Sequence, residues 1–145
     1  MEFIIGESFI EKYNIIEDEE KCEYRFKVTS DMIIAGENRL SYLTIIKIVE
    51  AIRDVFWNKH SCGADAICKC LETRFIYPII IDSMVQVRLL VLYWTKRTMC
   101  IGFRFLVQGR TVAHIEMELT VVDSESLEPT TISSGTIESI KKYTL

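Results

Sequence analysis

Three segments in the second half of the chain alternate apolar and polar residues with period two. Val85, Val87, Leu89, Val91 and Tyr93 form one apolar set, with Gln86 and Arg88 between them. Met99, Ile101, Phe103, Phe105 and Val107 form the next, against Arg104 and Gln108. Ala113, Ile115, Met117, Leu119 and Val121 form the third, against His114, Glu116, Glu118 and Thr120. Successive strand side chains point to opposite faces, so each segment predicts a strand with one apolar face. The breaks between them are short, Lys96–Arg97 and Gln108–Gly109–Arg110, and they predict hairpins with Gly109 supplying the turn conformation. Cys22–Thr29 alternates in the same way, with Tyr24, Phe26 and Val28 against Glu23, Arg25 and Lys27, and Ala64–Arg74 predicts a further strand before Tyr77–Pro78. The charge run Glu17–Lys21 reads as a solvated turn.

An antiparallel meander of this kind has an apolar face that needs a cover. Ser41–Asn58 is the candidate, a helix with apolar residues around much of its circumference: Leu43, Ile45, Ile46, Ile48, Val49, Ile52, Val55, Phe56 and Trp57. Such a helix is buried on more than one side, so Ile46, Val49 and Ile52 are expected to be nearly inaccessible. Asn38 and Ser41 are the candidate N-caps, and Gly63 lies in the loop that ends the helix. The reading is an α+β domain, a sheet curled around one helix. It spans residues 1–145, with a core of about 22–133 and extensions at both ends.

Composition narrows the classes. The chain has 145 residues, 49% of them apolar, and carries a net charge of −4. That length suits one domain, and the acidic balance argues against nucleic acid as a partner. Lys47, Glu50, Arg53 and Asp54 interrupt the helix, so no membrane span is expected. The N-terminal MEFIIGESFI lacks the basic start and apolar run of a secretory signal. Five cysteines cannot pair completely. Cys68 and Cys70, two apart on one strand, are expected on one face and are a poor disulfide pair. A reducing cytoplasm is the simplest location.

Two carboxylates draw attention. Asp31 lies in the loop before the helix, where an Asp commonly forms a turn or a cap. Glu50 lies on the helix itself. A buried carboxylate needs a partner, and Lys47 or Arg53 could pair with it. His60, Cys62, Cys68 and Cys70 match no zinc spacing. His114 beside Glu116 reads as a surface group, and no Gly-x-Ser-x-Gly elbow occurs.

Together these pieces resemble the hot-dog-fold thioesterases, the branch of 4-hydroxybenzoyl-CoA thioesterase and the short acyl-CoA and acyl-ACP thioesterases. The resemblance covers roughly Cys22 to Ser133. It rests on Asp31 before the helix, Ala35–Gly36, Asn38 ahead of Tyr42–Leu43, Glu50 and Arg53, Tyr77–Pro78, Asp82, and Gly109 to Ala113. It implies a hot-dog fold, a homodimer or homotetramer with sites at the subunit boundary, and hydrolysis of an acyl-CoA or acyl-ACP without a metal or organic cofactor. Asp31 would be nucleophile or general base, with Glu50 the alternative carboxylate. Backbone N–H groups around Gly36, Glu37 and Asn38 at the helix N-terminus would hold the oxyanion, with Tyr42 beside the substrate. Glu37 directly after Gly36 departs from the family pattern and supports the rival reading of a non-catalytic acyl-thioester-binding or assembly module. A hot-dog dehydratase ranks last, because neither histidine sits with an acidic residue in such a motif.

Overall fold

The structure is a computed structural model that describes residues 5–144. The first four residues of MEFIIGESFI therefore lie outside the described part. Helix α1 (Ile5–Lys12) leads to strands β1 (Ile16–Asp18) and β2 (Glu23–Lys27). A short helical turn (Ser30–Met32) and an extended loop precede the long helix α2 (Tyr42–His60). Four long strands follow: β3 (Asp65–Phe75), β4 (Met84–Trp94), β5 (Thr98–Val107) and β6 (Arg110–Val122). Helix α3 (Ser134–Ile140) closes the chain with a helical turn at Lys141–Tyr143.

The strands form one six-stranded antiparallel sheet in the order β1-β2-β4-β5-β6-β3. The alternation read from sequence places Val85, Val87, Leu89 and Val91 of β4 on the inner face. Met99, Ile101, Phe103 and Phe105 of β5 join them, with Ala113, Ile115, Met117, Leu119 and Val121 of β6, and all are buried. The β5–β6 hairpin turns on Gln108 (φ +52°) and Gly109 (φ +77°). This left-handed pair matches strand twist, and at Gly109 it costs no Cβ clash.

Helix α2 covers the inner face. Its buried stripe, Ile45, Ile48, Val49, Ile52, Val55 and Phe56, follows the three-and-four spacing of one helical face. The remaining apolar positions divide. Ala51 and Trp57 are also buried, and the Trp57 indole N–H donates to the Ala64 carbonyl at 2.9 Å. Leu43 is 64% exposed and Ile46 is only half-buried. The expectation of near-complete burial thus holds for Val49 and Ile52 and fails for Ile46, because Ile46 lies beside the stripe that faces the sheet.

Other expectations need correction. Helix α2 runs two residues past Asn58, whose side-chain amide donates back to the Asp54 carbonyl within the helix. Residues 16–18, at the start of the expected charged turn, pair with β2 as a short edge strand. The sheet carries bulges that period two cannot foresee. One lies between Cys68 and Cys70, so Cys68 pairs with inward Leu119 and Cys70 with outward Glu118. The two thiols therefore face opposite sides of β3, and all five cysteines are free. A second bulge between Val91 and Tyr93 turns Tyr93 to the outer face, where it is 49% exposed. Helices α1 and α3 fall in the two terminal extensions, where no element was expected.

Candidate active site

The loop that delivers the chain to α2 is built residue by residue. Met32 is buried at 1% exposure and anchors the helical turn Ser30–Met32, which leaves Asp31 on the outside. The Met32 carbonyl accepts the Ser41 N–H at 3.0 Å, and Ile33 bridges to Leu40. Between them the chain reverses at Ile34–Glu37, closed by the Glu37 N–H to the Ile34 carbonyl at 2.9 Å. Gly36 (φ +82°) takes the position of that turn that disfavours a side chain. Asp31 is thus one residue from a carbonyl that is hydrogen-bonded to the N-cap of α2.

The helix start is open. The Ser41 side chain makes no capping bond, and the first backbone bond of the helix is Ile45 N–H to the Ser41 carbonyl at 3.0 Å. Among the described residues, the N–H groups of Tyr42, Leu43 and Thr44 have no acceptor. Free N–H groups at the positive end of a 19-residue helix form an anion-binding surface. Of the three loop residues expected to donate as well, Glu37 spends its N–H on the turn, while those of Gly36 and Asn38 have no acceptor among the described residues. The Asn38 carbonyl accepts the Ile81 N–H at 2.7 Å, so Asn38 ties the loop to the neighbouring segment and is not the cap.

Side chains line this end in a ladder. Glu37 Oε2 accepts from Arg39 Nε at 2.6 Å, and the Arg39 guanidinium lies 5.0 Å over the Tyr42 ring. Tyr42 in turn stacks on Phe75 of β3, 4.2 Å between centroids and 16° between planes. The ladder joins the helix start to the edge strand, a long-range arrangement that no local pattern signals. The Asp31 carboxylate accepts a hydrogen bond from the Thr29 hydroxyl and is exposed.

Glu50 lies elsewhere. It is eight residues along α2 from Tyr42, roughly 12 Å of helix axis, so Asp31 and Glu50 are not brought together within one chain. Glu50 is exposed and unpaired with Lys47 or Arg53, contrary to the expectation of a buried ion pair, because its side of α2 faces away from the sheet. Arg53 instead meets Asp54, Nε to Oδ1 at 3.1 Å. Burial pushes the Asp54 carboxyl up, and Arg53 only partly offsets this. Glu50 lines a cavity of about 370 Å³ between α1 and α2 with Phe9, Tyr13, Lys47 and Asp54, whereas Asp31 lines none of the principal cavities.

The far end of α2 holds a polar cavity of about 270 Å³ with Glu17, Cys22, Tyr24, Lys59 and His60 on its walls. Burial first, then the Glu17 charge, push the Cys22 thiol up to about 12, so it stays protonated and unreactive. His60 meets the Ser139 hydroxyl through Nδ1, and burial, then Lys59 and Lys142, lower its pKa. On the outer sheet face His114 Nε2 lies 3.2 Å from Glu116 Oε1. Among the described residues no three His, Cys, Asp or Glu side chains converge to hold a metal, and no helix is long and apolar enough to cross a membrane.

No family model matches the chain, and no curated protein does. Solved structures do. A Staphylococcus aureus protein of hypothetical function, in complex with CoA, superposes with a TM-score of 0.75 at 11% identity over 85% of each chain. A predicted thioesterase from Bacillus stearothermophilus gives 0.75 at 10% identity over 85% of this chain and 96% of its own. The dynemicin thioesterase, studied with bound polyene, gives 0.72 at 13% over 85% and 96%. The fold is the hot-dog fold: the α+β arrangement expected from sequence, with the sheet wrapped around α2.

Proposed function

We propose that this protein hydrolyses an acyl thioester carried by CoA or by acyl carrier protein. The observation that carries the reading is the open N-terminus of α2 beside the Asp31 loop. A thioester carbonyl set against the N–H groups of Tyr42, Leu43 and Thr44 would be polarised, and the oxyanion of the tetrahedral intermediate would gain most from them. Asp31, oriented by the Thr29 hydroxyl, would attack the carbonyl carbon or take a proton from an attacking water. Collapse of the intermediate would then break the carbon–sulfur bond. With water as nucleophile the acid forms, and the proton taken by Asp31 passes to the thiolate. With Asp31 as nucleophile the acyl group remains as an anhydride on Asp31 until water hydrolyses it. The thioesterases among the structural neighbours support this class of chemistry, and the neighbour bound to CoA supports a CoA thioester.

The active unit is at least a homodimer in this reading. Strand β3 is an 11-residue edge with most of its residues exposed, and open edges of that length invite pairing. Ile67, Leu71, Tyr42 and Leu43 add exposed apolar surface along the same side, and a second copy would wall the site that one chain leaves open. Light scattering at micromolar concentration should give twice or four times the chain mass, and a monomer would refute the assembly. A cytoplasmic location accompanies the reading, in keeping with the free cysteines.

The test is hydrolysis across a panel of acyl-CoA and acyl-ACP thioesters by the wild type, Asp31→Asn and Glu50→Gln. Loss in Asp31→Asn alone supports the assignment. Loss in Glu50→Gln alone moves the carboxylate to the helix, an alternative favoured by the cavity that Glu50 lines. Thioester binding without turnover by the wild type would favour the non-catalytic module.

A further inference from the structure

We infer that the thioester is presented on coenzyme A, and that Tyr77 and Arg110 form the seat for its nucleotide end. This deepens the hydrolase reading and rests on it for the thioester end alone. The starting point is a cavity of about 310 Å³ between the segment 77–83 and the β5–β6 hairpin, with Pro78, Ile80, Val107 and Val112 among its apolar walls.

Its polar feature is prepared by the chain. The Gln108–Gly109 turn makes Arg110 the first residue of β6. The N–H groups of Ile76 and Tyr77 both donate to the Val112 carbonyl, at 2.9 and 3.1 Å, which pins Tyr77 beside that strand. Pro78 disfavours helical backbone at Tyr77 and keeps the segment extended. As a result the Arg110 guanidinium lies 3.6 Å over the centre of the Tyr77 ring. Several arginines have no carboxylate partner among the described residues. Of these, Arg110 alone also lies over an aromatic ring.

A stacked, unpaired guanidinium has two faces to offer. Its outward plane can stack on a flat heteroaromatic base, and its N–H edge can bind phosphate oxygens in a bidentate manner. The apolar walls would exclude water from the base. In a chain of net charge −4, a phosphate needs such a local cation. A carrier protein brings a phosphopantetheine arm, which has a phosphate but no base, so the stack and the apolar slot would have no partner in it.

The position suits the same substrate. The Ile79 carbonyl accepts the Leu40 N–H at 2.6 Å, and Leu40 bridges to Ile33 of the Asp31 loop. The cavity wall is therefore two strand spacings from that loop, roughly 10 Å, a gap that the extended pantetheine arm of CoA can cross. The polar cavity at the far end of α2 is roughly a helix length away, about 27 Å.

Titration calorimetry with CoA and with pantetheine tests the seat. The wild type should bind CoA about tenfold or more tighter than pantetheine. Tyr77→Ala and Arg110→Ala should each weaken CoA by about fivefold or more, and Arg110→Lys should recover only part of the loss. Arg97→Ala, which removes the same charge from the turn at the other end of β5, should leave CoA affinity unchanged. Equal affinity for CoA and pantetheine, or an equal loss in Arg97→Ala, overturns the inference. If Arg110→Ala does not fold, competition decides on the wild type: an adenosine bisphosphate should displace CoA, and failure to do so overturns the seat. Hydrolysis of an acyl-N-acetylcysteamine thioester separates the two readings. Turnover as fast as that of acyl-CoA leaves the hydrolase standing and removes the seat. Nucleotide-dependent CoA binding with no thioester turned over does the reverse.

Discussion

The two ends of α2 are built in opposite ways. At the C-terminal end nearly every polar group is tied. Trp57 bonds to the Ala64 carbonyl, and Lys59 binds Glu17 and Glu19. His60 meets Ser139, and Tyr143 donates to the Glu19 carbonyl. Phe56 and Tyr143 pack edge to face, 5.9 Å apart. At the N-terminal end the Ser41 side chain makes no capping bond, the N–H groups of Tyr42, Leu43 and Thr44 have no acceptor among the described residues, and Tyr42, Leu43 and Asp31 stand exposed. Unspent hydrogen-bonding capacity at a helix start goes to water or to a ligand. The closed end is tied into the fold, and the open end is where the proposed hydrolysis is placed. A single helix serves both because its middle, Ile48, Val49 and Ile52, is locked against the sheet at 0% exposure.

The largest expected effect tests the open end. Asp31→Asn should lower kcat/KM for the preferred thioester by roughly 10²–10⁴-fold while the thermal midpoint stays within a few degrees of wild type. Loss of folding in step with activity would make Asp31 a structural residue and erase the contrast.

The locked middle comes next. Ile52→Ala should destabilise by about 2–5 kcal/mol in equilibrium unfolding, whereas Leu43→Ala, one residue past the helix start, should cost less than about 1 kcal/mol in the isolated chain. A larger cost for Leu43→Ala that appears only at concentrations where light scattering shows the dimer would place Leu43 in the proposed subunit interface. An equal cost in the monomer would erase the contrast between the two positions. At the closed end, Trp57→Phe removes the bond to Ala64 and leaves a carbonyl to find water; about 0.5–1.5 kcal/mol is expected.

The smallest effect is a pH dependence. Burial, Lys59 and Lys142 hold the His60 pKa below its ordinary 6.5. The unfolded chain therefore takes up this proton first. The stabilising contribution is fully present above pH 6.5 and is lost as pH falls from there through the folded pKa. His60→Gln should flatten the slope of the thermal midpoint between pH 7.5 and 5.5 relative to wild type, and parallel slopes would show that His60 takes no part.

Much of this was readable in the residues. Strands β4, β5 and β6 followed from alternation, because one face of each meets a dry core and the other does not. The bulged positions were not readable: one extra residue at Lys69 or Leu92 reverses the faces beyond it, and only the partner strand decides where it is absorbed. The candidate site divides in the same way. Asp31, Gly36 and Tyr42 could be named from their order along the chain. The stack of Arg39, Tyr42 and Phe75, and that of Arg110 on Tyr77, join residues more than thirty apart in their longer links and carry no local signal.

What the sequence by itself determined is the α+β class, the long helix and the strands it covers, since helical and strand periods are local consequences of backbone geometry and burial. Tertiary structure alone decided which side of α2 is buried, and with it that Glu50 looks outward, that Ile46 sits half-buried beside the core and that Arg53 turns to Asp54. It also decided which end of the helix is tied and which is free. Those outcomes depend on what packs against the helix from distant parts of the chain, α1 on one side, the sheet on the other and α3 at its end, and no period along α2 contains that information.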